Sequence, residues 1–187
     1  MDITINTLFA RRPHVHPTAW TPNGTTVVQR YRNAAGEREG AIVLVYTADK
    51  ESDFQYFAAA CLGCTYRAAS DSRRARLAEA EAAGLANTHA ASCRAMNRGV
   101  PAAPDDAEAA AIVHSRLWGL RKYGTGNAHY VSLSDFHVDR VDLQRQAGFI
   151  EQTMVQLAQS EPDFLTSKPY FCGTGTQFMV QPHPPRP

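Results

Sequence analysis

Three of the four cysteines in this chain lie between positions 61 and 93, where they are grouped with a histidine into two short pairs. Cys61 and Cys64 form the first pair, and Gly63 between them permits the backbone bend of a tight turn. His89 and Cys93 form the second pair, and side chains four residues apart share one face of a helix. If the two pairs cooperate, the fold must bring two remote segments to one point.

Two such pairs of sulfur and imidazole donors are typical of zinc sites, because Zn²⁺ takes about four such ligands in a tetrahedron. The first residues lack the basic flank and apolar run that are typical of a signal peptide, and the sequence has no apolar run long enough to cross a bilayer. We therefore expect a cytoplasmic protein without a membrane partner. In that reducing compartment, clustered cysteines favour metal ligation over disulfides. The sequence therefore predicts Zn²⁺ bound by Cys61, Cys64, His89 and Cys93, with a filled shell and a structural role.

Two other interpretations of the cluster remain open at this stage. Buried cysteines are often small hydrophobic core residues, and a Cys-x-x-Cys pair can also belong to a thiol-disulfide redox enzyme. The redox alternative requires Cys61 to be exposed at a helix N-terminus, and it leaves His89 and Cys93 without a role. The sequence contains no H-x-E, no phosphate-binding loop, no H-E-x-x-H and no G-x-S-x-G, so we predict no catalytic residue and favour a non-enzymatic protein. Cys172 stands apart and is predicted to be buried in the core.

The complete pattern is C-x2-C-x24-H-x3-C, and aromatic residues at 54–57 precede it. It resembles zinc fingers of the CCHC, ββα and treble-clef kind over residues 54–98. The segment 88–96 is similar to the closing piece of small zinc-finger proteins of actinobacterial mobile elements and phages. This resemblance implies a DNA-associated regulator, although the gap between the pairs is longer than in the fingers that read DNA bases.

A formal net charge of +1 over 187 residues gives the whole molecule no strong field for polyanions, so a nucleic-acid contact requires a local patch. Residues 65–98 include six arginines and only three acidic residues. We predict phosphate contacts to DNA or RNA from Arg67, Arg73, Arg74 and Arg76, with Tyr66 stacking on a base. The equally weighted alternative is a solvated helix face whose arginines cover apolar surface. A second functional hypothesis is an adaptor for a protein partner, in which zinc only shapes the docking surface.

We predict an α+β fold in which an antiparallel β-meander leads to the zinc knuckle and is followed by several helices and short added strands. The chain is expected to form one domain over 1–187, with a zinc-binding submodule at 54–98 and an extended arm at 1–22. Trp118 is expected in the core, and an exposed indole there would instead be an interface anchor. The predicted strands are 25–32, 41–46, 54–57, 129–133 and 174–180, and the predicted helices are 73–83, 85–96, 105–123 and 139–160.

Overall fold

The computed structural model describes residues 16–34, 39–48, 56–69, 77–123, 127–170 and 175–184. These ranges contain two antiparallel sheets and four α-helices, so the predicted α+β class with a β-meander is confirmed. The strands are β1 (Thr25–Arg32), β2 (Ile42–Ala48), β3 (Phe57–Cys61), β4 (Arg67–Ala68), β5 (His129–Val131), β6 (Leu165–Pro169) and β7 (Thr176–Val180). The helices are α1 (Glu79–Ser92), α2 (Asp106–Gly119), α3 (Arg140–Leu143) and α4 (Ala147–Ser160), and a 3-10 helix spans Leu133–Asp139.

The first sheet has the strand order β1-β2-β3-β4, and β2 is buried along its whole length. Successive side chains of a strand point to opposite faces. Val43 and Val45 accordingly pack with α1, whereas Leu44 and Tyr46 pack in a layer that includes Val141 of α3. Both faces of β2 are covered, which fits its unbroken apolar run from Ile42 to Tyr46.

Helix α1 lies against this sheet through Ala82, Ala86 and Ala90, which recur every fourth residue and are all buried. Their small side chains allow the helix backbone to lie close to the strands. The prediction of two helices separated at Gly84 was wrong, because α1 runs through Gly84 without interruption. A glycine inside a helix costs about 1 kcal/mol relative to alanine, and the packed alanines on both sides of it offset that cost.

The C-terminal half builds a second core from α2, α4 and the sheet of order β5-β7-β6. Asp105 caps α2 by accepting a hydrogen bond from the Glu108 amide, and the helix ends at Gly119, before the predicted limit. The inward stripe of α2 is Ala109, Val113 and Leu117.

Trp118 follows this inward stripe on the flank of α2, and its side chain is 48% exposed, so its predicted core position was wrong.

Strand β6 had not been predicted from its sequence. It pairs with β7 along its whole length.

The single helix predicted for residues 139–160 is interrupted between α3 and α4. Gln144 has φ 46°, in the left-handed region, which ends α3. Its side-chain amide then donates to the carbonyl oxygens of Pro101 (3.3 Å) and Ala102 (3.1 Å), residues more than forty positions earlier. Hydrogen bonds between residues so far apart in the sequence leave no local pattern, so the interruption of the helix could not be predicted.

The two halves meet where the 3-10 helix and α3 cover the first sheet. The Tyr46 hydroxyl donates to the carbonyl oxygen of His137 at 2.7 Å, and Val141 lies in the apolar layer on that face. Of the predicted N-terminal arm, residues 16–22 are described, and Trp20 among them is buried in the same layer. Residues 1–15 lie outside the described ranges. None of the described helices combines the length and the apolar character that a membrane crossing requires.

Candidate metal centre

The first predicted ligand lies at the end of β3, which the chain enters at Phe57 and leaves at Cys61. This strand is displaced towards the C-terminus relative to the predicted 54–57, of which residues 54 and 55 are outside the described ranges. Phe57, Ala59 and Cys61 pack on the α1 side of the sheet, and Ala58 and Ala60 pack on the opposite side. The alternation of the strand therefore directs the Cys61 thiol, which is only 1% exposed, towards α1.

A turn after β3 brings Cys64 next to Cys61, and Gly63 makes that turn possible. A Cβ atom at position 63 would lie 2.4 Å from the Ala41 Cβ and 2.8 Å from the Met96 carbonyl oxygen. Both distances are shorter than real Cβ contacts. The turn can approach β2 and the segment after α1 this closely only because residue 63 has no side chain.

The second pair lies at the C-terminal end of α1. His89 is in the last turn, and Cys93 is the C-cap residue with an extended backbone, φ −72° and ψ 134°. The predicted helix extended to residue 96, whereas α1 ends at Ser92. The chain leaves the helix here because the next residues pair with the start of β2, where the Ala41 amide donates to the Ala95 carbonyl oxygen at 3.0 Å.

The structure brings all four predicted ligands together. The ligand atoms of Cys61, Cys64, His89 and Cys93 all lie within 4.8 Å of one another. The Cys64 and Cys93 Sγ atoms are 4.0 Å apart, and the Cys64 Sγ atom is 3.4 Å from the His89 Nε2 atom. Tetrahedral coordination with metal–sulfur bonds of about 2.3 Å places two sulfurs about 3.8 Å apart and a sulfur and a nitrogen about 3.6 Å apart. The cluster therefore has the size and the donor set to bind one metal ion.

The protonation states of the cluster decide how a metal ion would bind there. Burial, reinforced by the nearby Cys61 and Cys93 sulfurs, raises the pKa of the Cys64 thiol to about 11. Burial lowers the pKa of His89, which keeps the imidazole in the neutral form that binds metals. Three thiolates cannot be held so close together without a compensating positive charge, so metal binding must displace protons from the sulfurs.

Amide N–H groups point at two of the sulfurs and would donate hydrogen bonds to them as metal-bound thiolates. The backbone N–H of Gly63 points at the Cys61 Sγ atom (3.4 Å), and that of Ala95 points at the Cys93 Sγ atom (3.4 Å). The side-chain amide of Asn33 is 3.8 Å from the Cys61 Sγ atom and also donates to the Ala95 carbonyl oxygen. Sequence reasoning missed Asn33, which lies 28 positions before Cys61 and belongs to no ligand motif.

Tyr66 has a different environment from the one predicted for it. Its ring stacks on the His89 imidazole, with centroids 3.8 Å apart and planes inclined by 11°. Its hydroxyl donates to the Leu85 carbonyl oxygen, one helical turn before His89, at 3.4 Å. Tyr66 therefore orients the His89 imidazole, and one face of its own ring is covered by it.

Arg67, the first predicted phosphate contact, is engaged within the protein. Its guanidinium pairs with Asp142 of α3 at 2.8 Å and donates to the carbonyl oxygens of Cys61, Cys64 and Tyr66. These bonds tie the turn between the cysteines to the C-terminal half. The other three predicted contacts, Arg73, Arg74 and Arg76, lie outside the described ranges, as does Cys172.

The geometry does not fit the thiol-disulfide redox interpretation. Cys61 is buried at the end of a strand, whereas a redox Cys-x-x-Cys needs its first thiol exposed at a helix N-terminus. All three cysteines of the cluster are free thiols, each with its sulfur turned towards the same point.

No protein-family model, curated protein or solved structure matches this chain. What the protein does must therefore be argued from the residues of the site and its surroundings.

Proposed function

We propose that this chain is a zinc-stabilised, non-enzymatic protein that associates with nucleic acid as a regulator. The observation that carries the proposal is the convergence of three sulfurs and one imidazole within 4.8 Å. Soft thiolate donors in a tetrahedral set favour Zn²⁺ among the divalent metals. Four protein ligands leave no coordination position for a substrate, so the ion serves the fold and not a reaction.

The structural role follows from which segments the ligands join. Cys61 ends β3 and Cys64 lies in the turn to β4, whereas His89 and Cys93 lie at the end of α1. The buried residues that α1 contributes to its contact with the sheet are all alanines, which bury little apolar area. A metal ion at one end of this thin interface would fix the helix on the sheet.

Elemental analysis of the purified protein tests the metal. We expect one zinc per chain in the wild type and a loss of zinc in Cys64→Ser. Cys172→Ser is the matched control, since that cysteine is distant in sequence from the cluster, and it should retain zinc. A wild-type protein that contains no zinc, and that takes up none when titrated, would refute the assignment.

The nucleic-acid part of the proposal is supported by the arginine-rich stretch that follows the metal turn. Arg73, Arg74 and Arg76 lie within four residues of one another in the sequence. Arg67, six positions before Arg73, donates to the Cys64 carbonyl oxygen and so lies beside the cluster. Arginines clustered in this way bind phosphates and release counterions, so affinity falls steeply with salt.

Fluorescence anisotropy with labelled duplex DNA and RNA, from about 50 to 200 mM salt, tests this part. Changing Arg73, Arg74 and Arg76 together to alanine should lower the slope of log K against log salt by about 2.7 on duplex DNA, if each contacts one phosphate. The triple Arg→Lys variant is the matched control, because it keeps the charge and should keep most of that slope. Equal binding by the alanine variant and the wild type would contradict the arginine assignment.

A zinc-structured adaptor for a protein partner is the second candidate, and the 48% exposed indole of Trp118 favours it. Exposed tryptophans are frequent anchors of protein interfaces. A complex of defined stoichiometry in native mass spectrometry, lost in Trp118→Ala and formed without nucleic acid, would support the adaptor over the regulator.

A further inference from the structure

The three cysteines of the cluster differ in their access to solvent. Cys61 is 1% exposed, and the Gly63 amide and the Asn33 side chain lie against its sulfur. Cys64 and Cys93 are only half-buried. Susceptibility to oxidation rises with the exposure of a thiolate, so a dissolved oxidant reaches Cys64 and Cys93 before Cys61.

The two accessible sulfurs are also close enough to bond to each other. The Cys64 and Cys93 Sγ atoms are 4.0 Å apart, and a disulfide bond is about 2.05 Å long, so each sulfur must move by about 1 Å. Neither residue lies inside a regular element, since Cys64 is in the turn after β3 and Cys93 is the C-cap of α1. Both side chains can therefore rotate without breaking a strand or a helix.

Cys61 has less freedom to take part in such a bond. It is the last residue of β3 and pairs with Val43 of β2, which fixes its backbone. The turn that follows is closely packed, since a Cβ atom added to Gly63 would lie 2.4 Å from the Ala41 Cβ. A bond from Cys61 to Cys64 would draw together the two ends of this turn. The geometry therefore favours a disulfide between the turn and α1 over one within the Cys-x-x-Cys pair.

A hydroperoxide such as H₂O₂ supplies the two-electron oxidation that a disulfide requires. The sulfur of one thiolate attacks a peroxide oxygen, the O–O bond breaks, and a sulfenic acid and a hydroxide form. The second thiolate attacks the oxidised sulfur, the S–S bond forms, and a second hydroxide leaves. Two protons convert the hydroxides to water, so two thiolates, one peroxide and two protons give one disulfide and two waters.

We propose that Cys64 and Cys93 are a site of reversible oxidation, at which a hydroperoxide forms a disulfide and thereby releases the metal ion. The proposal rests on the metal binding proposed above and adds its regulation. Sulfurs in a disulfide are no longer thiolate ligands, so only Cys61 and His89 remain, whereas Zn²⁺ needs about four ligands. The chain itself is modified, in contrast to a thiol-disulfide enzyme, which oxidises or reduces another protein.

The disulfide would join the same two segments as the metal ion. Cys64 follows β3 and Cys93 ends α1, and the cross-link spans 29 positions of the sequence. Helix α1 therefore stays attached to the sheet after the metal has left. Because such a cross-link restricts the unfolded chain, the oxidised metal-free protein should melt roughly 4–16 °C above the reduced metal-free protein.

Titration of the zinc-loaded Cys172→Ser chain with H₂O₂ tests the proposal, because the three cysteines of the cluster are then the only ones in the sequence. A chromophoric zinc indicator should report release in proportion to the disulfide formed. Peptide mapping by mass spectrometry should find Cys64 linked to Cys93, with Cys61 as a free thiol. Dithiothreitol should restore the thiols and the binding of zinc.

Cys93→His is the matched variant, because it keeps four metal ligands and removes one partner of the disulfide. Two cysteines and two histidines also form a common zinc site, so the variant should hold zinc at peroxide concentrations that empty the parent chain. Cys64→His is a second variant of the same kind, with the same expected result.

The outcomes separate this proposal from the one before it. A disulfide between Cys61 and Cys64, zinc release with sulfinic acids as the only products, or equal release from both histidine variants would overturn it. If the chain binds no zinc, the proposed metal role fails, and mapping of the peroxide-treated chain still decides the pairing. A bond from Cys64 to Cys93 then supports the oxidation site, and any other product refutes it.

Discussion

Replacing Gly63 with alanine is the smallest change that should disturb the metal centre without touching a ligand. The added Cβ would lie 2.4 Å from the Ala41 Cβ, 2.8 Å from the Met96 carbonyl oxygen and 2.9 Å from the Ala95 Cβ. An ordinary contact begins at 3.4 Å, so the turn between the cysteines must move away from its neighbours by roughly 1 Å. Metal sites tolerate about 0.2 Å in their bond lengths, so this displacement is large for the cluster.

We expect two effects of the Gly63→Ala change. Overpacking of this kind costs about 1–3 kcal/mol, which corresponds to a melting temperature lower by roughly 3–9 °C for a chain of this size. Zinc affinity should fall about 10- to 100-fold, as it does when the groups that position the ligands are changed. Thermal unfolding and competition with a chromophoric chelator measure the two effects.

Gly84→Ala is the matched control for this experiment, because it is the same substitution at a helical glycine whose new Cβ would meet nothing within 4 Å. It should stabilise the protein by about 1 kcal/mol through helix propensity alone and leave zinc affinity unchanged. If Gly63→Ala binds zinc as tightly as Gly84→Ala and melts no lower than the wild type, the close packing of the turn is not what shapes the site.

Three further predictions concern the ligand orientation, the metal and the buried histidine. Tyr66→Leu removes the ring stacked on His89 and should weaken zinc binding about tenfold in the same chelator assay. Tyr66→Phe keeps the ring and should keep most of the affinity, and equal zinc affinities of the Leu variant and the wild type would contradict the role of the ring. Chelation should expose residues 54–98 to proteolysis before the core around α2 and α4, and simultaneous cleavage of both would refute a local role for the metal. Burial lowers the pKa of His137 to about 4, whereas its value in the unfolded chain is about 6.5. Between about pH 6.5 and pH 4 the unfolded state therefore binds more protons than the folded state, so the free energy of unfolding falls as the pH is lowered through this range. The free energy of unfolding should therefore drop by about 2 kcal/mol more between pH 7 and pH 5 in the wild type than in His137→Gln, and parallel pH profiles in urea unfolding would exclude a buried neutral imidazole.

The two pairs of the cluster could be predicted because each pair is defined by a short spacing within the local sequence. A two-residue gap fits one turn and a four-residue spacing fits one helical face, so the sequence alone is enough to pair Cys61 with Cys64 and His89 with Cys93. The hairpin of β1 and β2 was predictable for the same reason, since its alternation and its apolar run lie within a few residues of each other.

The groups that support the ligands could not be predicted, because their contacts depend on the tertiary fold. Asn33 reaches the Cys61 sulfur from the end of β1, and Gln144 ends α3 while bonding to carbonyl groups of residues 101 and 102. Neither residue has a local pattern that differs from an ordinary polar surface position. Tyr66 and Arg67 were noticed in the sequence, but as exposed groups for a ligand, since nothing local indicates that a neighbouring helix will cover them.

Arg67 gives the metal centre an influence beyond its own neighbourhood. The same guanidinium donates to the carbonyl oxygens of the cysteine turn and to the Asp142 carboxylate. It also lines a cleft whose wall includes Tyr56 at the start of the β3 segment and Arg116 of α2. A rearrangement of the turn on release of an ion would therefore reach α3 through the Arg67–Asp142 pair. If a metal ion binds at the cysteine turn, we therefore expect its occupancy and the shape of the cleft to be thermodynamically coupled.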